Sequence, residues 1–466
     1  MSSHSDDYLR ALQLLRERGN YDRGYITNPR SGSVGPELGL VRTRALLDEL
    51  GSPDRAYPIV HVAGSKGKGS TSAFVAGIGK AAGYRTGLST SPHLHTFRER
   101  IAIDGVPVDE PVFATLAFET EAAVAQLERQ RPELGEVTAF ELLTVMALLA
   151  FAEQSCQLAV IEVGLGGTYD STNVIAPAVS IITRLDLEHT QILGDTIESI
   201  AANKAGIVKP GIPSITASQE PAALSVIENT AARRGAPLMI AGRDFDTTGT
   251  WQDFSWTGPN RPLDHLRTGM AGPHQMENAS LAIAAWGCLI GQGLTASNEA
   301  IHTGLATAAL PGRFERVSAG GRTWILDGAH TPLAAAALAI EVLDELGSPI
   351  PAIVGLLSDK HPAPFLEALA PCVSGLILTE PRNPRAFPAN ELVPIAHAAI
   401  SQVTASRDLE TSLHEARART GAATPVLITG SLVLVGEARE LLGLAVADPV
   451  TSEAQIPANL RSITIG

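Results

Sequence analysis

Short apolar segments rich in β-branched residues alternate with helical patterns along most of the chain. Residues 57–64, 158–163 and 179–184 read YPIVHVAG, LAVIEV and VSIITR, and a glycine-rich or polar loop follows each of them. Strands that are apolar on both faces lie in parallel sheets covered by helices, so the pattern predicts an α/β fold. Ligands of such sheets bind at the carboxyl ends of the strands, and we therefore expect the chemistry in these loops.

The alternation is broken at residues 310–313, Leu-Pro-Gly-Arg, and resumes with a strand pattern over 323–326. A chain of 466 residues has room for about two to four domains. We predict an N-terminal domain over 1–310 with a P-loop-type, mostly parallel sheet. A smaller, Rossmann-like α/β domain is predicted over 311–466. Residues 251–267 are irregular and polar, which predicts a hairpin excursion from the first domain.

Charge and composition exclude several classes of protein. With 35 basic and 49 acidic residues the net charge is −14, which argues against nucleic-acid and anionic-membrane partners. The N-terminus lacks the apolar core of a signal peptide, and the longest apolar stretch, 142–152, is too short to cross a bilayer. The three cysteines (Cys156, Cys288 and Cys372) are far apart, as in a reducing compartment. We expect a cytoplasmic, soluble protein.

The most specific local motif is the loop at 64–70, Gly-Ser-Lys-Gly-Lys-Gly-Ser, between a predicted strand and a predicted helix. Glycines allow backbone N–H groups to turn around phosphate oxygens, and the helix N-terminus adds the positive end of its dipole. Lys68 would supply a point charge to the phosphates. The spacing differs from that of a Walker A motif, but the context favours a nucleotide phosphate site over a flexible turn.

Potential metal ligands follow other strand segments. Glu162 ends an apolar strand, where a carboxylate requires a cation or a metal ion as its partner. Ser91 and His189 lie in polar loops after two further strands, and hydroxyl, carboxylate and imidazole groups all bind metals. A structural salt bridge remains an alternative for Glu162. A helix cap is the alternative for the Asp-Gly-Ala-His motif at 327–330.

Taken in order, these motifs resemble the folylpolyglutamate synthase and dihydrofolate synthase family of the Mur ligase superfamily. The likeness extends from about residue 39 to about residue 430, nearly the whole chain. It rests on segments in the order that the family has them: HVAGSKGKGST, TSPHLHTFRERI, EVGLGGTYDSTNV, LEHTQILGDTIESIAANKAGIVKPG, PGRFERV and DGAHTP.

The resemblance implies an ATP-dependent amide ligase. Such an enzyme uses ATP to phosphorylate a carboxylate, and the amine of L-glutamate then attacks the acyl phosphate. The carboxylate would belong to dihydropteroate or to the γ-glutamyl end of a folate. The chemistry needs a phosphate-binding loop and a divalent metal, because a free carboxylate is a poor acylating agent. The family also implies a monomer.

The resemblance assigns roles by position. Lys68, Lys204 and His330 are implied in catalysis: Lys204 is carbamylated by CO₂ in the family and helps to hold a second Mg²⁺, and His330 contacts L-glutamate. The positions that match ATP contacts of the family are Gly67, Lys68, Gly69, Ser70, Asn278, Arg313 and Asp327. Those that match its Mg²⁺ ligands are Ser91, Glu162 and His189. The pterin-side positions are Thr138, Phe140, Glu141, Tyr169, Asp170 and Ser171.

Four departures from the family pattern lie near these positions. Lys66 stands where the family has Asn, Glu188 where it has Asp, and Thr331 where it has Asn, while Thr168-Tyr169 replaces Arg-Leu. They affect the expected substrates more than the expected reaction. A different Mur-type ligase would need a nucleotide-sugar domain of about a hundred residues ahead of the loop, and this chain has about sixty. A regulatory nucleotide-binding protein without ligase activity is the other alternative.

Overall fold

The N-terminal part of the chain, up to residue 310, is built on an eight-stranded sheet. The structure, a computed structural model, describes residues 5–18, 37–259 and 262–449. The strands of this sheet are, in chain order, β1 (Ile59–Ala63), β2 (Thr86–Ser89), β3 (Ala102–Ile103), β4 (Val106–Pro107), β5 (Leu158–Glu162), β6 (Val179–Ile182), β7 (Ser214–Thr216) and β8 (Leu238–Ile240).

The sheet confirms the mostly parallel arrangement. Its spatial order is β4-β3-β2-β5-β1-β6-β7-β8. The six adjacent strands β2, β5, β1, β6, β7 and β8 run parallel, while β3 and β4 form an antiparallel edge. The central strand β1 is buried along its whole length between β5 and β6. The carboxyl ends of β1, β2, β5 and β6 therefore meet at one edge of the sheet.

Helices cover both faces of this sheet. Alternate residues of β5 enter different cores: Ala159 and Ile161 pack with the cluster that contains α5, and Leu158 and Val160 with the cluster that contains α3 and α9. The helices of this part are α1 (Asp6–Glu17), α2 (Glu37–Glu49), α3 (Lys68–Ala81), α4 (Glu110–Gln130), α5 (Ala139–Glu153), α6 (Thr190–Leu193), α7 (Ile197–Lys204), α8 (Pro221–Arg234), α9 (His274–Leu289) and α10 (Asn298–Thr307).

The polar region that was expected to form a hairpin is a three-stranded antiparallel sheet in the order β11-β10-β9. Phe254 and Trp256 of its central strand join the core beneath α9, so the excursion is anchored to the main sheet. Its strands are β9 (Asp246–Thr250), β10 (Asp253–Thr257) and β11 (Leu263–Leu266).

The C-terminal part, from residue 311 onward, has its own sheet and its own cores. The spatial order is β12-β13-β17-β14-β15-β16, parallel except for the β12–β13 hairpin. The strands are β12 (Glu315–Ala319), β13 (Arg322–Leu326), β14 (Ile350–Val354), β15 (Val373–Leu378), β16 (Val403–Ala405) and β17 (Val426–Thr429). The helices are α11 (Pro332–Leu346), α12 (Pro362–Leu369), α13 (Ala389–Ala396), α14 (Leu409–Arg419) and α15 (Leu432–Leu441).

The differences from the predicted elements concern short strands and helix starts. Helix α3 begins at Lys68, two residues before the predicted start at Ser70, because Gly67 takes the N-cap position. The pattern did not predict β7 and β8, which have three residues each and are too short to show a period. Within the described ranges no helix combines the length and apolar character of a membrane span. All three cysteines are free thiols.

Helices α3 and α10 cross at a contact between two glycines. A Cβ atom at Gly304 would lie 2.4 Å from the Cα of Ile78, and one at Gly77 would lie 2.7 Å from the carbonyl oxygen of Gly304. The helix that follows the phosphate loop is thus held by direct backbone packing. Because neither glycine has a side chain, the two helices lie too close together to admit a methyl group on either of them.

We predict that Gly304→Ala destabilises the protein by about 1–3 kcal/mol, because the added methyl group forces α3 and α10 apart. Urea unfolding followed by circular dichroism measures the change in midpoint. Gly291→Ala is the matched control, since a Cβ there meets no atom within 4 Å. An unchanged midpoint for Gly304→Ala would contradict the packing account.

Candidate active site

The loop between β1 and α3 is held from behind by two other elements. The backbone N–H groups of Ser65 and Lys66 both donate to the Arg184 carbonyl oxygen, at 3.0 Å each, at the end of β6. Gly67 has φ +85°, and a Cβ there would lie 2.2 Å from Oδ1 of Asn278 on α9. Only glycine therefore fits at Gly67. The loop presents the N-terminus of α3, a favourable position for an anion.

Two lysines converge on this loop. The ammonium groups of Lys68 and Lys204 both donate to the carbonyl oxygen of Gly64, at 3.0 and 2.7 Å. Lys204 is 1% exposed, and its Nζ lies 3.2 Å from Oε1 of Glu188, whose Oε2 lies 3.7 Å from Nζ of Lys66. Burial, followed by the charge of Lys68, lowers the pKa of Lys204 to about 8. A neutral amine is thus accessible at this lysine near neutral pH.

The Lys66–Glu188–Lys204 group is an arrangement that the sequence analysis did not predict. Lys66 and Glu188 are two of the departures from the family pattern, and the structure shows that they pair with each other. Burial alone would raise the pKa of Glu188, but the surrounding lysine charges, that of Lys68 first, hold it below its usual value. The carboxylate therefore stays ionised between two ammonium groups.

Glu162 lies at the end of β5 against the first turn of α3. Its Oε2 accepts a hydrogen bond from the Ser91 backbone N–H at 3.0 Å. Burial raises the pKa of Glu162, and the charge of Lys68 is the largest of the opposing effects, ahead of Arg313 and Arg100. A cleft opens here, lined by residues from the end of β2 and its following loop, from α5, from the end of β5 and from two short turns: Ser89, Thr90, Ser91, Arg100, Phe140, Leu143, Thr144, Glu162 and Thr172.

The predicted metal ligands are brought together in part. Ser91 and Glu162 are in contact, whereas His189 precedes α6 beside Glu188, in the electrostatic range of Lys68 and Lys204. Among the residues that the structure describes, no group of three His, Cys, Asp or Glu side chains could hold a metal alone. A buried carboxylate and a nearby hydroxyl suit Mg²⁺, which takes few protein ligands and completes its shell with water and phosphate oxygens.

The C-terminal part contributes charge to the same region. The charge of Arg313 acts on Glu162 and also on Asp327. The Asp327 carboxylate accepts the backbone N–H groups of Phe314 and Ala329, both at 2.8 Å. His330 Nδ1 lies 2.8 Å from the Gly328 carbonyl oxygen, and burial lowers its pKa to about 4. His330 is therefore a neutral imidazole whose Nδ1 carries the proton.

Two of the predicted pterin-side residues have structural partners. Thr138 and Glu141 form a capping box at the start of α5, where each side chain accepts the other's backbone N–H. Glu141 is also paired in bidentate fashion with Arg42, at 2.6 and 2.8 Å, and both side chains are buried. Both carboxylate oxygens of Glu141 thus accept hydrogen bonds from within the protein. Phe140, between them in sequence, lines the cleft beside Glu162.

Asp170, another of the predicted pterin-side residues, supports the glycine loop after β5. Asp170 Oδ2 accepts the Leu165 N–H at 2.8 Å, and Oδ1 accepts the Thr172 hydroxyl at 2.5 Å. That hydroxyl in turn lies 2.9 Å from Nε2 of His61, a fully buried imidazole on β1. Ser171, next in sequence to Asp170, is buried, and Tyr169 is half-buried. Asp170 thus sets the path of residues 164–167.

Sequence reasoning missed Arg42, His61 and Arg100 as parts of this region. Arg100 is buried beside Glu162, and burial lowers the pKa of its guanidinium to about 9. Its position in the FRERI segment was the available signal. His61 likewise lies in the HVAGSKGKGST segment, whereas Arg42 gave no signal, since its partner Glu141 is about a hundred residues away in sequence.

Comparison with known families defines the class of protein. Residues 62–286 match the Mur ligase middle domain, and residues 312–432 match the glutamate ligase domain of Mur ligases. The two matched segments contain the phosphate loop with Glu162 and Lys204, and Arg313 with Asp327, respectively. The fold is therefore that of a Mur ligase, and the protein belongs to the class of ATP-dependent ligases.

Full-length relatives narrow the class. The chain is 35% identical to the dihydrofolate synthase/folylpolyglutamate synthase of Bacillus subtilis, over 88% of this chain and 96% of that one. It is 33% identical to the folylpolyglutamate synthase of Lacticaseibacillus casei, over 86% and 94%. The structure of Mycobacterium tuberculosis folylpolyglutamate synthase complexed with ADP and AMPPCP superposes with a TM-score of 0.82 at 31% identity, over 94% and 98%. The chain belongs to the dihydrofolate synthase/folylpolyglutamate synthase family.

We predict that Glu141→Ala lowers stability by about 3–5 kcal/mol, because it leaves the buried Arg42 guanidinium without its partner. Guanidinium unfolding curves measure the loss. Glu133→Ala, in the exposed Arg131 pair (47% and 60% exposed), is the control and should leave the midpoint unchanged. If Glu141 served only the substrate, its replacement would raise KM and leave the unfolding curve in place.

Proposed function

We propose that this chain joins L-glutamate to dihydropteroate, to the γ-carboxylate of a folate, or to both, with cleavage of ATP to ADP and phosphate. The acceptor carboxylate takes the γ-phosphoryl group, and the glutamate amine then displaces phosphate from the acyl phosphate to form the amide. The observation that carries the proposal is the position of Glu162 at the first turn of α3, where a Cβ at Gly69 would lie 3.6 Å from its Oε2. The charges of Lys68, at the start of α3, and of Arg313, from the other part of the chain, both act on this carboxylate.

The N-terminal part would hold the phosphates. Backbone N–H groups of residues 67–70 and the Lys68 ammonium would bind the β- and γ-phosphates, with Asn278 keeping the loop in shape. Ser91, Glu162 and His189 would hold Mg²⁺, which supplies charge neutralisation on the transferring phosphoryl group. Carbamylated Lys204 would provide a further anionic ligand for a second Mg²⁺.

The C-terminal part would close the nucleotide site and bring the amino acid. Arg313 and Asp327 would contact ATP, and the neutral His330 would contact L-glutamate. The proposed division into domains at residues 1–310 and 311–466 places these groups in the second domain. We further propose that the enzyme is a cytoplasmic monomer that acts on small molecules and binds neither nucleic acid nor membranes, in keeping with its acidic charge.

The residues around the acceptor carboxylate would determine which substrate the enzyme uses. Phe140 at the cleft, with Tyr169, Asp170 and Ser171 around the glycine loop, would surround the pterin. In this loop Thr168-Tyr169 replaces the family's Arg-Leu. The preference for dihydropteroate or for a folate as the acceptor would therefore differ from that of relatives with Arg-Leu.

A substrate panel tests the proposed function. The enzyme is incubated with ATP, Mg²⁺, L-glutamate and either dihydropteroate or tetrahydrofolate, and ADP release and product mass are measured. We expect a product heavier by one glutamyl residue with at least one acceptor. ADP release without an amide product, or no turnover with either acceptor, would overturn the proposal.

We predict that Lys68→Ala lowers kcat by about 100- to 1,000-fold while the protein stays folded, because the ammonium offsets charge on the transferring phosphoryl group. Steady-state kinetics and a melting curve check both halves. Lys80→Ala on the same helix is the matched control, since Lys80 is exposed and its ammonium group donates to the Asp104 carbonyl oxygen. Near-normal kcat in Lys68→Ala would remove the phosphate role.

For Lys204 we predict that Lys204→Ala inactivates the enzyme and that acetate restores part of the activity, because a small carboxylate can replace a carbamate. Carbamylation consumes the neutral amine, and with a pKa of about 8 for Lys204 that form becomes more abundant as the pH rises from 7 to 9. At a fixed concentration of dissolved CO₂, activation should therefore be faster at the higher pH.

Lys209→Ala is the control for this rescue. Lys209 is a second lysine whose pKa burial lowers to about 8, but its Nζ donates to the Asn173 carbonyl oxygen, away from the phosphate loop. Acetate should have no effect on Lys209→Ala. Rescue of Lys204→Ala by alkylamines alone would show that a plain ammonium is needed, and would exclude the carbamate.

A further inference from the structure

The chain after α15 leaves one hydrophobic core and reaches another. Leu442 and Leu444 pack against the core of the C-terminal part that contains Trp324 and Ile353. Asp448, a few residues later, is 3% exposed and is bound to the N-terminal part. The segment 442–448 therefore links the two parts at a second place, besides the covalent connection at 310–312.

Asp448, in the C-terminal segment, makes hydrogen bonds to both helix α1 and the loop at 91–100. Its Oδ1 accepts the Tyr8 hydroxyl at 2.5 Å, and its Oδ2 accepts the Phe97 backbone N–H at 2.8 Å. The Asp448 N–H donates to the His95 carbonyl oxygen at 2.9 Å. Tyr8 is itself fixed in the core of the N-terminal part, with its ring edge-on to Phe113 at 5.7 Å. Helix α1, the loop at 91–100 and the C-terminal segment thus share this carboxylate.

The loop at 91–100 is internally closed, so it moves as a unit. The Glu99 carboxylate accepts the backbone N–H groups of Leu94, His95 and Thr96, at 2.7, 3.0 and 3.2 Å. Its first residue, Ser91, donates its N–H to Glu162. Because the His93 and Phe97 rings also lie 4.4 Å apart between centroids, a displacement at Phe97 is carried toward Ser91 at the phosphate site.

The C-terminal part also touches this loop at Leu94. A Cβ at Gly436 on α15 would lie 2.9 Å from the Leu94 carbonyl oxygen, and a Cβ at Gly312 would lie 3.5 Å from its Cδ1. The connecting segment, α15 and the C-terminal segment consequently all contact one loop of the N-terminal part. Of these contacts, Asp448 makes the hydrogen bonds and carries the charge.

We propose that Asp448 is a positioning residue, which sets the 91–100 loop and thereby holds Ser91 against Glu162 from the far end of the chain. The proposal rests on the proposed function only for the role of Ser91 and Glu162 in Mg²⁺ binding. Outer residues that orient metal ligands commonly change metal affinity by about 10- to 100-fold when they are replaced.

Asp448→Asn in the full-length protein tests the proposal. An amide has one acceptor oxygen, so the variant loses the carboxylate charge and can keep the Phe97 N–H only with its NH₂ group facing Tyr8, whose hydroxyl must then accept instead of donate. Hydrogen–deuterium exchange should show amides of 91–97 exchanging about tenfold faster, because the loop opens more often. The tightening of an ATP analogue's Kd by Mg²⁺, relative to EDTA, should fall about tenfold.

Asp408→Asn is the matched control. Asp408 also accepts a backbone N–H, from Thr411 at 2.8 Å, but it caps α14 within the C-terminal part. Its replacement should leave both the exchange of 91–97 and the Mg²⁺ effect unchanged. If Asp448→Asn does not fold, Tyr8→Phe removes the hydroxyl contacts to Asp448 and to Thr96 Oγ1 (3.3 Å), keeps the buried ring and should shift both readouts in the same direction.

Two results would overturn the proposal. Unchanged exchange of the loop would show that Asp448 does not hold it, and faster exchange with an unchanged Mg²⁺ effect would show a purely structural anchor. Neither measurement requires turnover. A protein that makes no folate product, yet shows both expected changes, would contradict the proposed ligase reaction and support the positioning role.

Discussion

One backbone carbonyl, that of Gly64, accepts the ammonium groups of both Lys68 and Lys204. Two cations so close together are stable only because anionic side chains lie nearby, Glu188 beside Lys204 and Glu162 in the field of Lys68. The strand β1 fixes this carbonyl at the centre of the sheet. The rest of the site is arranged around it, with α3 leaving on one side and α7 arriving on the other.

The local charge at this point is opposite to that of the whole protein. The chain carries a net charge of −14, but lysines and arginines cluster at the phosphate loop, and burial keeps their fields from being screened by water. Arg100 illustrates the cost, since burial lowers the pKa of its guanidinium to about 9. A ligand with several negative charges would offset the cost of burying these cations. ATP together with two carboxylate substrates carries such charges.

Rigid packing supports this electrostatic arrangement. The start of α3 is held by Asn278 through a glycine that leaves no space for a side chain, and its middle is held by the Gly77–Gly304 crossing. On the other side of the site, the 91–100 loop is closed by Glu99 and contacted by the C-terminal part. The phosphate loop and the Ser91 loop are therefore set by backbone contacts. Their positions depend on packing far more than on exposed side chains.

The sequence by itself determined the parallel α/β fold, the family and the strand ends where Lys68, Glu162 and Asp327 lie, because periodicity and strand–loop–helix order are local properties. It did not show that Glu141 is committed to Arg42, that Lys66 pairs with Glu188, or that Asp448 reaches Tyr8. Each of these partners is distant in sequence or is a residue type common on surfaces. Only the tertiary structure decides such pairs, because folding brings charged residues that are distant in sequence together at one place. The spacing of residues along the chain carries no record of that contact.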